Sequence, residues 1–393
     1  MRWSEIPRGA KAYILYHTLI SPGLIVWILF PLYLMETGYS ILEVGAFFTA
    51  VNLASIPLTY LFGRAFNRWD IKRGLIAIDV LDGVAYVLYG LAKGAIAPVL
   101  LFTGRTIEKL SMMLYPLYRA YEQIIYPEDK YEEIFAWHLR LPEMSQALTF
   151  PVMGYVLGYV YPGPESYRWA FMLFGLFSAF TVAYIQLFLP AVGREERLTP
   201  EGFTFKAGDF RLFLAVEALL TLAWALAPEI VLINYIAFTL KKTVFEVTLV
   251  AVASSLASIL GTYASERVPK ERGFQAMALG MFLNALYAFL MALAPPLWAV
   301  LVVHALGDFG NTFWFPFYRA WMFRLIPKEK ASEFHAAISS YRKVIGIVAP
   351  IVAGFLASIH ATLPYAVSFG LFLLAGVMFQ WLARKGIYSG TAS

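Results

Sequence analysis

Long apolar runs alternate with short polar clusters along the whole chain. The apolar segments fall at approximately 12–35, 41–63, 74–92, 96–119, 134–160, 168–190, 210–240, 244–264, 273–293, 296–322, 331–359 and 363–383. About 20 apolar residues in a helix suffice to cross a bilayer core roughly 30 Å thick. The runs are continuous rather than alternating, and far longer than the strand segments of about 10 residues used by membrane barrels. The pattern therefore predicts an all-α integral membrane protein of about twelve spans. It leaves no room for a large soluble domain.

Composition agrees. Of the 393 residues, 60% are hydrophobic and 15% are charged, whereas soluble domains sit near half and a quarter. There is no cysteine, which excludes disulfides and thiolate metal sites. Arg2, Arg8 and Lys11 precede an apolar run with no small-residue exit, so that run reads as a retained first span rather than a cleaved signal peptide. The basic residues set orientation. Only Lys93, Arg168, Lys241 and Lys242 fall in the outer loops, which puts both termini in the cytoplasm and the chain in the cell membrane. The net charge of +5 lies in these membrane flanks and implies no nucleic-acid partner.

An internal repeat divides the chain. Tyr115–Ala120 reads YPLYRA and Phe315–Ala320 reads FPFYRA, 200 residues later. At the same offset Pro127 matches Pro327, Lys130 matches Lys330, Glu133 matches Glu333 and Gly154 matches Gly354. An even number of spans separates the copies, so they lie parallel about an axis along the membrane normal. The expected domains are a six-helix bundle over 1–190, a cytoplasmic linker over 191–209 and a second six-helix bundle over 210–393.

Between the second and third spans the chain reads GRAFNRWDIKR, from Gly63 to Arg73. This resembles the loop signature of the major facilitator superfamily: Gly, three residues, Asp, Arg, any residue, Gly, any residue, then two basic residues. Gly63, Arg68, Lys72 and Arg73 match it. Asn67 stands for the Asp and Asp70 for the second Gly. The resemblance implies a secondary transporter working by alternating access, with this loop latching the two halves on the cytoplasmic side. It also implies that helices 1, 4, 7 and 10 line the cavity while helices 3, 6, 9 and 12 are peripheral. A proline–glycine pair in helix 5, Pro151 and Gly154, partly matches a kink found in the family's exporters.

Ionisable groups inside a membrane cost about 2.5–3.5 kcal/mol each on insertion scales, so each needs a reason. Counting at about 1.5 Å per residue from the turns puts Asp82 level with Arg105, Lys109 with Glu143, and Asp308 with Lys343. Glu108 and Asp308 are repeat equivalents; so are Glu143 and Lys343, with opposite charge. His304, Asp308 and Asn311 share one face of helix 10 through spacings of four and three. The candidate substrate or ion residues are thus Arg105, Glu108, Lys109, Glu143, His304, Asp308, Asn311 and Lys343. His17, Glu217 and Glu229 are weaker candidates.

No phosphate-binding loop, phosphorylated-Asp motif or metal-ligand spacing is present. The expectation is a transporter rather than an enzyme, with no cofactor and no metal, acting as a monomer in the lipid bilayer on a small solute and protons. Titratable groups among 10 Trp, 24 Tyr and 32 Phe point first to proton-coupled export of an amphipathic or aromatic compound. The rivals are import or facilitation of an anionic or polar metabolite through Arg105, Lys109 and Lys343, and a non-transporting receptor or lipid-handling protein on the same scaffold.

Overall fold

The structure is a computed structural model that describes residues 2–66, 70–127, 131–192, 211–227, 229–265, 267–325, 338, 341–342 and 344–385. Helix follows helix, and no strand occurs among the described residues. The first six spans are α1 (Arg8–Glu36), α2 (Ile41–Phe66), α3 (Ile71–Leu91), α4 (Ala97–Leu114 and Pro116–Ile125), α5 (Tyr131–Tyr155, continuing to Val160) and α6 (Pro164–Phe188). The other six are α7 (Arg211–Leu226 and Glu229–Asn234, continuing to Thr239), α8 (Val244–Ser265), α9 (Gly273–Ala292), α10 (Leu297–Leu325), α11 (Ala349–Ile359) and α12 (Leu363–Arg384). The twelve-span reading thus stands. Eight are long and apolar enough on composition alone to cross a membrane. Among the rest, α4 falls short because Arg105, Glu108 and Lys109 sit within it.

Local chemistry explains where the spans start and break. Helix α3 begins at Ile71, earlier than the hydropathy suggests, because the Asp70 carboxylate caps it by accepting the Arg73 backbone N–H at 2.8 Å. Proline lacks the N–H and crowds the preceding turn. Accordingly α1 loosens into a 3-10 turn over Ser21–Leu24, which contains Pro22 and Gly23, and α4 breaks at Tyr115–Pro116. Single wide π turns end α5 (Val156–Val160) and α7 (Tyr235–Thr239).

The chain separates into two compact units. One comprises Met1–Thr37 with Ala50–Leu198; the other comprises Gly38–Thr49 with Thr199–Ser393. Within the first, α3 packs on α4 and α6, and α1 on α5. Within the second, α9 packs on α10 and α12, and α8 on α10. The α3–α4–α6 and α9–α10–α12 triplets are the repeat seen as structure. The first α2 segment belongs to the second unit, where the Thr49 hydroxyl accepts the Ile351 N–H at 3.2 Å.

Small residues let the helices of the first unit meet closely. A Cβ on Gly175 of α6 would lie 2.7 Å from Val87 Cγ2 and 2.9 Å from the Val87 backbone N on α3. Outward faces carry the opposite pattern: Leu148 is 71% exposed and Leu187 75%, as lipid-facing positions should be.

Candidate functional site

The first unit holds a cavity of about 270 Å³ between α1, α3, α4, α5 and α6. Its polar wall is Asp79 and Asp82 from α3, one turn apart, with His17, Gln146, Ser178 and Thr181. Its apolar wall is aromatic, with Trp27, Tyr86, Tyr115, Tyr118, Phe174 and Phe177. No Lys or Arg is among the lining residues.

The carboxylates are held unevenly. Tyr16 donates to Asp79 Oδ1 at 2.6 Å, and its hydroxyl lies 3.2 Å from that of Tyr118. Asp79 Oδ2 and Asp82 Oδ1 are buried without a hydrogen-bond partner among the described residues. Buried carboxylate oxygens need hydrogen-bond donors or a cation, because desolvation without compensation is expensive. The cavity therefore offers carboxylate oxygens open to a proton or a cation.

Above this cavity sits a closed polar cluster. Arg105 pairs with Glu108, one turn along α4, at 2.5 Å. Tyr89 donates to Glu108 Oε2 at 2.5 Å and the Trp27 indole to Oε1 at 3.1 Å. The guanidinium also lies 5.3 Å from the centre of the Phe30 ring. Glu108 is 1% exposed. The depth match of Arg105 with Asp82 thus does not become an ion pair. Depth fixes a level but not a direction around the helix axis, and Arg105 turns along its own helix instead.

Lys109 on α4 and Glu143 on α5 are half-buried in the same unit. In the second unit, His304, Asp308 and Asn311 do share one face of α10. Asn311 Nδ2 donates to Asp308 Oδ1 at 3.3 Å, and the Trp314 indole lies 3.5 Å from Asn311 Oδ1. The His304 ring stacks edge-on against Tyr287 at 5.0 Å. Lys343 lies outside the described residues. Its neighbour Arg342 pairs with Glu217 of α7, which also accepts from Tyr318.

In the loop after α2, Asn67 and Arg68 lie outside the described residues, and Gly63 falls within α2. Asp70 and Arg73 pair at 3.0 Å across the first turn of α3. Lys72 Nζ donates to the carbonyls of Gln186 and Leu189 at 3.0 and 2.8 Å. It thereby satisfies the open carbonyl end of α6.

Sequence reasoning missed the importance of α3. Asp79 and Asp82 form an i, i+3 acidic pair on a helix that the family resemblance implies is peripheral, and the structure places both on the cavity wall. Sequence reasoning also missed a second grouping. His17, Glu122 and His138, remote in sequence, come together so that one ligand atom from each lies within 4.8 Å of the others. Linear spacing showed no metal-ligand cluster because these three come from different helices.

The fold is a polytopic helical bundle with buried charges beside a cavity in its first unit. The sequence profile described as the Major Facilitator Superfamily matches residues 18–347, and the chain belongs to that family. It is a multi-pass transporter of small solutes and not an enzyme. No curated protein sequence gives a significant match. Among solved structures, the chain is similar to a bacterial homologue of the iron transporter ferroportin in its inward-facing state. Identity there is 14%, with 96% of this chain and 98% of that one covered and a TM-score of 0.75. It is also similar to a bacterial metal transporter (14% identity, 96% and 99% covered, TM-score 0.70). A third is a POT family transporter in complex with 5-aminolevulinic acid (13% identity, 98% and 99% covered, TM-score 0.66).

Proposed function

We propose that the chain is a proton-coupled exporter of amphipathic or aromatic compounds that carry a positive charge. It acts as a monomer in the cell membrane with both termini in the cytoplasm. The observation that carries this reading is the first-unit cavity, where two carboxylates and six Trp, Tyr and Phe rings converge and no Lys or Arg is among the lining residues. A carboxylate there holds either a proton or a cationic solute, and exclusion of one by the other is the elementary basis of antiport. Aromatic faces add cation–π attraction and a surface for planar solutes. Two of the structurally similar proteins are described as a metal transporter and a homologue of an iron transporter, which accords with a cation as cargo. The rival reading, an anionic or polar metabolite drawn by Arg105, Lys109 and Lys343, is weakened because Glu108 already neutralises Arg105.

The test uses proteoliposomes with an acidic lumen and ethidium, a planar aromatic cation, outside. Outward proton flow should drive dye uptake, and Asp82→Asn should abolish the gradient dependence. Uptake indifferent to the imposed pH gradient would overturn the coupling. Uptake of an anionic dye in place of ethidium would favour the rival.

A further inference from the structure

The grouping of His17, Glu122 and His138 lies at one side of the cavity, yet the proton–cation reading does not use it. His17 of α1 lines the cavity, Glu122 comes from the second piece of α4, and His138 comes from α5. Glu122 is 7% exposed and His138 9%, and their nearest atoms, Oε1 and Nδ1, are 3.6 Å apart. The imidazoles of His17 and His138 have centroids 4.6 Å apart. Buried His17 Nε2 has no hydrogen-bond partner among the described residues.

Two imidazoles and a carboxylate form the donor set that holds zinc and neighbouring transition metals with an open fourth position. Metal–ligand distances of about 2.0–2.2 Å place neighbouring donors of a tetrahedral site roughly 3.4 Å apart. Glu122 and His138 already stand near that separation. The widest separation among the three donor atoms is within 4.8 Å, and the unpartnered His17 nitrogen can close it without breaking a hydrogen bond.

The surroundings are those of a supported ligand shell. The Tyr126 hydroxyl lies 2.8 Å from His138 Nδ1, the nitrogen that faces Glu122, and turns aside when that nitrogen takes an ion. The Tyr13 hydroxyl lies 3.4 Å from Glu122 Oε1, and the Tyr13 ring stands edge-on to His17 at 4.6 Å and to His138 at 5.4 Å. Outer partners of this kind orient metal ligands.

We propose that His17, Glu122 and His138 form a binding site for a divalent transition-metal cation, which ties α1, α4 and α5 together beside the cavity. This goes beyond the transport reading and stands or falls separately from it.

The experiment is a titration of the tag-free protein in detergent with Co²⁺, read by its ligand-field absorption and by isothermal calorimetry, with Zn²⁺ as competitor. The expected result is one ion per chain, displaced by Zn²⁺, with an intense low-coordinate Co²⁺ spectrum. His138→Ala and Glu122→Gln should each weaken binding at least as much as the ~10–100-fold that loss of an outer partner costs. Tyr126→Phe, which keeps every donor and frees His138 Nδ1, should leave binding intact or tighten it, while His17→Ala should weaken it as the other ligand variants do and serves if either of those fails to fold. Absence of a stoichiometric Co²⁺ spectrum, or unchanged binding in the folded ligand variants, would overturn the site. Retained pH-driven ethidium uptake by His138→Ala would separate failure here from failure of the transport reading.

Discussion

Replacing Glu108 by Gln tests how the first unit tolerates charge at its centre. The substitution keeps the shape of the side chain but removes the ion-pair partner of the Arg105 guanidinium, which is only 12% exposed. Breaking a buried pair by removing one partner costs about 3–5 kcal/mol, because the other charge stays buried and uncompensated. Tyr89 and Trp27 lose a charged acceptor as well, and the Gln carbonyl can serve only one of them fully. A net loss of roughly 4–5 kcal/mol follows. At about 2–4 °C per kcal/mol for a unit of 150–250 residues, the melting temperature should fall by roughly 10 °C or more. The double variant Arg105→Gln/Glu108→Gln removes both charges and should recover most of this loss, ending within a few degrees of the parent. Intrinsic tryptophan fluorescence during thermal unfolding in detergent reads both. A single variant that melts at or above the double variant would refute the claim that Glu108 is there to neutralise Arg105.

The same logic scales with exposure in the second unit. Arg342 is 48% exposed beside Glu217, so Glu217→Gln should lower the melting temperature by clearly less than Glu108→Gln does, in the same fluorescence assay. Gly175→Leu should abolish the monodisperse peak on size-exclusion chromatography, since even a Cβ there meets the α3 backbone. Gly370→Ala on α12, where a Cβ meets nothing within 4 Å, should leave it intact. Asp70→Ala removes the α3 cap and should cost about 1 kcal/mol, with faster hydrogen exchange confined to the first turn of α3.

The spans were legible because membrane burial demands long apolar runs, and the two copies were legible because YPLYRA and FPFYRA survive 200 residues apart. The helix 10 stripe was legible for a related reason: His304, Asp308 and Asn311 lie on one helix, where spacing alone sets the face. Pairings between helices were not. Arg105 and Asp82 share a depth, but their azimuths depend on how α3 and α4 roll against each other, which is set by contacts such as Gly104 beneath Tyr89. The three donors around His17 were invisible for the same reason, each being an isolated polar residue in its own run. Arg342 does not stand out in the sequence because its neighbour Lys343 matches Asp308 in depth, whereas the fold turns Arg342 toward Glu217.

The interruption of α1 at Ser21–Leu24 has a counterpart. Helix α7, the first span of the second copy, also comes in two pieces, Arg211–Leu226 and Glu229–Asn234, with Pro228 between them in the sequence. By the 200-residue offset the α1 interruption maps to 221–224, inside the first piece of α7, so the two first spans break at different levels, each beside its own proline of the sequence.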